Sequence, residues 1–212
     1  RDEAAFGAFV AAMIAGVRGG KLPEFEASYL DGLSGHALRK AWMDRAQATA
    51  AEFAAADPKL RLKWVGPEMS ALSSITARLM ETWAHAQAIY DALGVDRRDT
   101  DRIGNIVRLG VITWGFTWKN RRMEPPGPMP QLRLKAPSGA IWEYGEPSDS
   151  GMISGSATAF CQVVTQCRHV ADTSLEVTGE VAHQWMTVAQ CFAGPPQDPP
   201  AQGIRHRADK GV

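Results

Sequence analysis

The sequence carries no excess of charge, no long apolar run and little cysteine, and each shortage closes off a class of function. Twenty-three basic residues cancel twenty-three acidic ones, so net charge gives no general attraction to nucleic acid or to an anionic membrane. No apolar stretch approaches the ~20 residues that a transmembrane helix needs. Cys161, Cys167 and Cys191 form no CxxC pair and leave an odd number. That pattern reads as reduced thiols in a cytoplasmic protein, each packing as a small apolar side chain. Also missing are a glycine-rich phosphate loop, a Ser-His-Asp pattern and a second cluster of metal-binding types. RNA modification would need a basic surface or stacking aromatics, and neither is visible. The expected partners are therefore small molecules, with no nucleic acid and no membrane.

What is present is helical texture followed by a change. Residues 2–17 repeat apolar and small side chains at helical period and end before Gly19-Gly20. A short loop with Pro23 leads to Ser34, a suitable N-cap for a helix running to Ala56, where Asp57-Pro58 stops it. Residues 60–65 suit an extended link, and Gly66-Pro67 opens the entry to a helix over residues 70–93 that ends at Gly94. A further helix starts at Asp99 or Thr100, with Ile103, Ile106, Val107, Val111, Trp114 and Trp118 along its buried side. Four prolines within residues 123–130 then predict a stiff linker and a domain boundary. Beyond it, residues 131–135 and 141–144 alternate like strands around a Pro-Ser-Gly turn. Residues 152–153 and 175–178 suit strands, and residues 156–168 and 180–192 suit helices. The expected organisation is a helical domain over 1–122, a small α+β domain over 131–194, and a disordered tail over 195–212.

The pattern that bears on chemistry is Glu81 and His85. Four residues apart on one helix, their side chains share a face with Cβ atoms ~6 Å apart. Both are ligands for a zinc-class ion at roughly 2.0–2.2 Å, so together they supply half of a tetrahedral site. The alternative is a surface hydrogen bond between i and i+4 positions. On a wheel that sets Glu81 at zero, Leu72, Ile75, Leu79, Trp83, Tyr90 and Leu93 cluster between about 120° and 200°, which predicts a core-facing stripe. Small residues such as Ser74, Ala77, Ala88 and Ala92 surround Glu81 and His85 on the other face, where another element could approach.

Residues 64–85 (WVGPEMSALSSITARLMETWAH), 132–142 (LRLKAPSGAIW) and 163–168 (VVTQCR) resemble a known family. They are similar to the metal-binding DinB-type helical proteins related to mycothiol-dependent maleylpyruvate isomerase, in an actinobacterial branch. Some members carry a wyosine base formation label, which is naming history and says nothing about RNA. The resemblance covers residues 1–194 and implies an up-and-down helical bundle holding a divalent metal, usually zinc. Its motif takes one His from an earlier helix, then Glu and His from an ExxxH. Glu81 and His85 match the last two. The earlier His would precede Arg1, so the chain reads as an N-terminally truncated bundle followed by a small α+β domain. His36 lies in the wrong helix to replace it.

In such relatives the open coordination position receives the thiol of mycothiol, and thiolate addition to a conjugated double bond followed by elimination gives cis–trans isomerisation. Other members use the thiol for transfer or ring opening. Arg168 matches an arginine that the family brings towards the metal, where a guanidinium fork would orient a substrate carboxylate. The residue-level reading leaves an ordinary salt bridge equally open. His169 reads as a polar helix-end residue, His183 and His206 as surface and tail positions. The implied function is metal- and thiol-dependent isomerisation or transfer on a small acid or conjugated carbonyl. The competing reading is a non-catalytic binding module with an incomplete metal site.

Overall fold

The computed structural model describes residues 3–64 and 68–208. Of the sequence expectations, the end of the extended link at Val65 and the Gly66-Pro67 helix entry lie outside the described residues. The elements run α1 (Glu3–Arg18), α2 (Leu22–Leu30), α3 (Gly35–Ala55), β1 (Arg61–Leu62), β2 (Met69–Ser70), α4 (Ala71–Ala92), α5 (Gly104–Ile112), α6 (Trp114–Asn120), β3 (Gln131–Lys135), β4 (Ile141–Tyr144), β5 (Met152–Ser156), α7 (Ala157–Val164), β6 (Glu176–Thr178) and α8 (Glu180–Val188). A helical N-terminal part thus precedes an α+β region. No helix among the described residues is long and apolar enough to cross a membrane.

The chain divides into two compact units, Arg1–Ser74 and Ile75–Val212. In the first, α1 and α2 meet through a ring cluster in which Phe9 lies 5.6 Å from Phe25 and 5.1 Å from Tyr29. The loop expected around Pro23 is in fact α2, because proline near a helix start has no N–H to lose and a preset φ. Helix α3 buries none of its residues. A two-stranded antiparallel pair, β1 with β2, leads into α4.

The division falls inside α4, not at the proline-rich stretch where the sequence places a boundary. The second unit explains why. Met80 and Trp83 of α4, Ile103, Ile106 and Val107 around α5, and Trp118 of α6 share one core with Leu132, Leu134, Ile153, Phe160 and Trp185 from beyond the prolines. Helix α6 already ends at Asn120, closed by Arg122 at φ 58°, and the prolines that follow separate nothing, since the apolar faces on both sides of them bury against each other. The sheet has the order β4-β3-β5-β6, with β3 parallel to β5 and the other neighbours antiparallel. Strand β3 alternates strictly, with Leu132 and Leu134 wholly buried and Arg133 and Lys135 exposed. Ser156 caps α7 by accepting a hydrogen bond from the Ala159 N–H at 3.0 Å.

Two close approaches set this packing. Gly110 lets α5 sit on α7, because a Cβ there would lie 2.9 Å from Phe160 Cε1. Gly151, at φ +93°, brings its backbone against Thr178, where a Cβ would come within 1.8 Å of the carbonyl oxygen. The helix expected from residue 100 onward is interrupted at Thr113, whose hydroxyl donates back to the Leu109 carbonyl at 2.8 Å, while its own carbonyl accepts from the Thr117 N–H at 2.9 Å as α6 begins.

The buried face of α4 also differs from the expected stripe. Leu72 and Leu93 are exposed, whereas Met80, Trp83 and Gln87 are buried. Those three stand at about 260°, 200° and 240° from Glu81, so the covered face is turned towards the Glu81 side. The small side chain of Ala84 permits this, and the Cys167 thiol donates to the Ala84 carbonyl at 3.5 Å.

Candidate functional site

The rotation of α4 puts Glu81 and His85 at the edge of its covered face. A cavity of about 530 Å³ lies there. One wall is α4 itself, through Glu81, Ala84, His85, Gln87, Ala88 and Asp91. Thr165 and Cys167, from the turn after α7, form the opposite side with Phe192. The third side is the segment after Gly194, which contributes Gln197, Ile204, Arg205 and His206. All of these residues belong to the second unit.

Glu81 and His85 converge. His85 Nε2 is 3.5 Å from Glu81 Oε2. Two donors ~2.1 Å from one tetrahedral centre lie about 3.4 Å apart, so the observed separation fits shared coordination of a zinc-class ion. The chemistry of the donors, one carboxylate oxygen and one imidazole nitrogen, fits as well. Both heads are open to water, with the His85 side chain 86% and the Glu81 side chain 52% exposed. Among the described residues, no group of three His, Cys, Asp or Glu side chains is placed to hold a metal. The pair thus presents two donors of metal-ligating type.

Arg168 is placed differently from the two expected ligands. It is buried and does not line the cavity. Its guanidinium grips Asp91 with both terminal nitrogens, at 2.7 Å and 2.5 Å, and donates to the Cys167 carbonyl at 2.9 Å. Asp91 does line the cavity, and it also accepts from Gln87 Nε2 at 3.0 Å. Burial works against the Asp91 carboxylate, but the hydrogen bonds from Arg168 and Gln87 and the charge of Arg168 prevail and hold its pKa below the usual 3.8. The fork that would suit a substrate carboxylate thus already holds one from the protein. Helical spacing points to Asp91, about one and two-thirds turns beyond His85, but nothing local pairs it with residue 168.

The cysteines separate by position. Cys161 and Cys191 are buried in the core, where loss of hydration pushes both thiols well up in pKa. Cys167 borders the cavity. Burial raises its pKa too, opposed by a hydrogen bond from Thr165 and by the charges of Arg205, Arg168 and Arg97.

The segment from residue 195 carries no helix or strand among the described residues, yet it is not the free tail that its composition suggests. Buried side-chain amides hold it: Gln166 Nε2 donates to the Gln197 carbonyl at 2.8 Å, and Gln190 Oε1 accepts from the Gln197 N–H at 3.0 Å. Arg121 pairs with Asp198 at 2.9 Å, and the Ala208 N–H donates to the Asp91 carbonyl at 2.8 Å. His206, expected as an inert tail residue, becomes part of the cavity wall by this route. His36 and His183 remain exposed.

Residues 1–90 match the family described as the mycothiol maleylpyruvate isomerase N-terminal domain. Two proteins from different strains of Mycobacterium tuberculosis, both described only as uncharacterized, are each 39% identical to this chain over 196 residues. Those matches cover 92% of this chain and 75% of each relative. No solved structure matches the chain.

Proposed function

Because this chain belongs to the family related to mycothiol maleylpyruvate isomerase, we propose that it binds a divalent metal through Glu81 and His85 and works with a low-molecular-weight thiol such as mycothiol. The reaction class is isomerisation or transfer on a small acid or conjugated carbonyl. Zinc is the metal that the donor set suits best. The observation that carries the reading is the 3.5 Å convergence of a carboxylate and an imidazole on the edge of a cavity.

A divalent cation at these donors would favour thiolate over thiol at neutral pH and so make a nucleophile available. The chain's own residues supply the rest. With one carboxylate among its protein donors, a divalent cation held by Glu81 and His85 would keep positive charge with which to attract a second anionic ligand. Ala84 and Ala88 keep the α4 wall low, so that a ligand can lie along the helix beside both donors. Met80 and Phe192 give the cavity apolar surface that suits a conjugated carbon chain. Arg168 acts as a positioning residue in this scheme: it fixes Asp91 and takes up its charge, so that the carboxylate does not repel an acidic substrate.

The second reading, a non-catalytic binding module, has its own support in the exposure of His85 and the two-ligand donor set. Elemental analysis decides between them. Purified protein with zinc supplied is expected to hold about one equivalent, and Glu81→Ala and His85→Ala are each expected to lose it. Retention of metal in both variants would overturn the assignment, and a wild type without metal would favour the module.

A further inference from the structure

We propose that the segment after Gly194 carries the carboxylate-binding subsite of this cavity, with Arg205 as its anchor. The proposal deepens the functional reading above, on which it rests for the premise that a small acid occupies the cavity. The cations near the cavity divide into two kinds. Arg168 holds Asp91 with both terminal nitrogens, Arg97 stands 3.3 Å from Asp99, and Arg207 holds Asp96 at 2.8 Å. Each of those charges is already neutralised. Arg205 lines the cavity and makes one hydrogen bond, from Nη1 to the Gln166 carbonyl at 3.0 Å. Among the described residues, no carboxylate pairs with it. A guanidinium so placed keeps several N–H donors and its whole charge for a ligand.

The backbone fixes where that charge stands. Gln166 takes a left-handed conformation, φ 55°, at the end of α7. Its carbonyl receives Arg205 while its side chain donates to the Gln197 carbonyl, so one residue ties the segment at two points. His206, next to Arg205, turns its Nδ1 to the Gly203 carbonyl at 3.0 Å and also borders the cavity. The side of the cavity formed by the segment after Gly194 thereby carries the guanidinium, and the α4 wall holds the candidate metal donors. A small acid lying across the cavity would meet a guanidinium at its carboxylate end and the Glu81–His85 centre at its reactive end. Cys167 lies close enough to feel the charge of Arg205, which supports the same placement.

The test uses the whole chain and succinate, a dicarboxylate that does not react with thiols, with succinamide as its uncharged counterpart. Calorimetric titration is expected to show succinate binding that weakens with salt, and no comparable binding of succinamide. Arg205→Gln keeps a donor for the Gln166 carbonyl but removes the charge, and should weaken succinate about tenfold or more. Arg205→Lys keeps the charge and should retain most of the affinity. If Arg205 merely ties down the segment, Gln and Lys behave alike. Equal affinity in all three proteins, or no succinate binding by the wild type, overturns the proposal. Zinc content measured on the same samples keeps the two ideas separate. Arg205-dependent binding without metal would sink the metal reading alone, and a metal-loaded protein with Arg205-independent binding would sink the subsite alone.

Discussion

Replacing Arg168 with methionine should destabilise the second unit by about 3 kcal/mol, the low end of the range for breaking a buried ion pair from one side. The low end applies because the pair is not fully enclosed: the Arg168 side chain is 10% and the Asp91 side chain 14% exposed. Methionine keeps the apolar stem and its packing, so the loss comes from the charge-assisted hydrogen bonds and from Asp91 left half-buried without its cation. With a urea slope of roughly 2 kcal/mol per molar, the midpoint should fall by about 1.5 M. Five of the seven tryptophans, at positions 83, 114, 118, 142 and 185, belong to the second unit, so fluorescence reports mainly on it. The effect has a pH signature. The native pKa of Asp91 lies below 3.8, so the pair stabilises fully above that value and loses its contribution as pH falls through the lower native pKa. The gap between wild type and Arg168→Met should therefore be constant near neutrality and close in acid. A cycle with Asp91→Asn should show a coupling energy above 1 kcal/mol. A midpoint unchanged by Arg168→Met, or additive single effects, would refute the placement of Arg168 as the partner of Asp91.

Gly110→Ala should lower the stability of the second unit by about 1–2 kcal/mol net, because the added methyl meets the Phe160 ring while the helix gains less than that in propensity; a neutral or stabilising result in thermal melts would contradict the α5–α7 contact. Alkylation at neutral pH followed by mass spectrometry should modify Cys167 first, since it borders the cavity, and should reach Cys161 and Cys191 only on unfolding. Equal labelling of all three thiols would mean that the core around α7 opens readily.

The parts of this fold that were legible in the sequence are those fixed by neighbours in the chain. Strands β3 and β4 fall where the alternation of residues 131–135 and 141–144 puts them, because a period of two and a Pro-Ser-Gly turn leave one pairing register. The Glu81–His85 approach follows from helical spacing alone. Contacts between distant segments were not legible. The wheel identified a stripe on α4, but which side is covered depends on Ala84 meeting Cys167, eighty-three positions away. The proline-rich stretch has the composition of a linker, and only the shared core of Trp118 and Leu132 shows that it is a loop. The segment from residue 195 lacks the apolar periodicity that local reading depends on, since polar bridges from Gln166 and Gln190 hold it in place. That is why Arg205 has no signature in the sequence and His206 reads as a tail residue, while Arg168 stands in a run that resembles the family.

Anomalous diffraction from crystals grown with zinc would show whether Glu81 and His85 hold the metal. One peak at the zinc edge is expected within ~2.0–2.2 Å of both Glu81 Oε2 and His85 Nε2, on the cavity side of α4. A zinc peak at another cluster, or no peak beside an ordered Glu81 and His85, would contradict that placement.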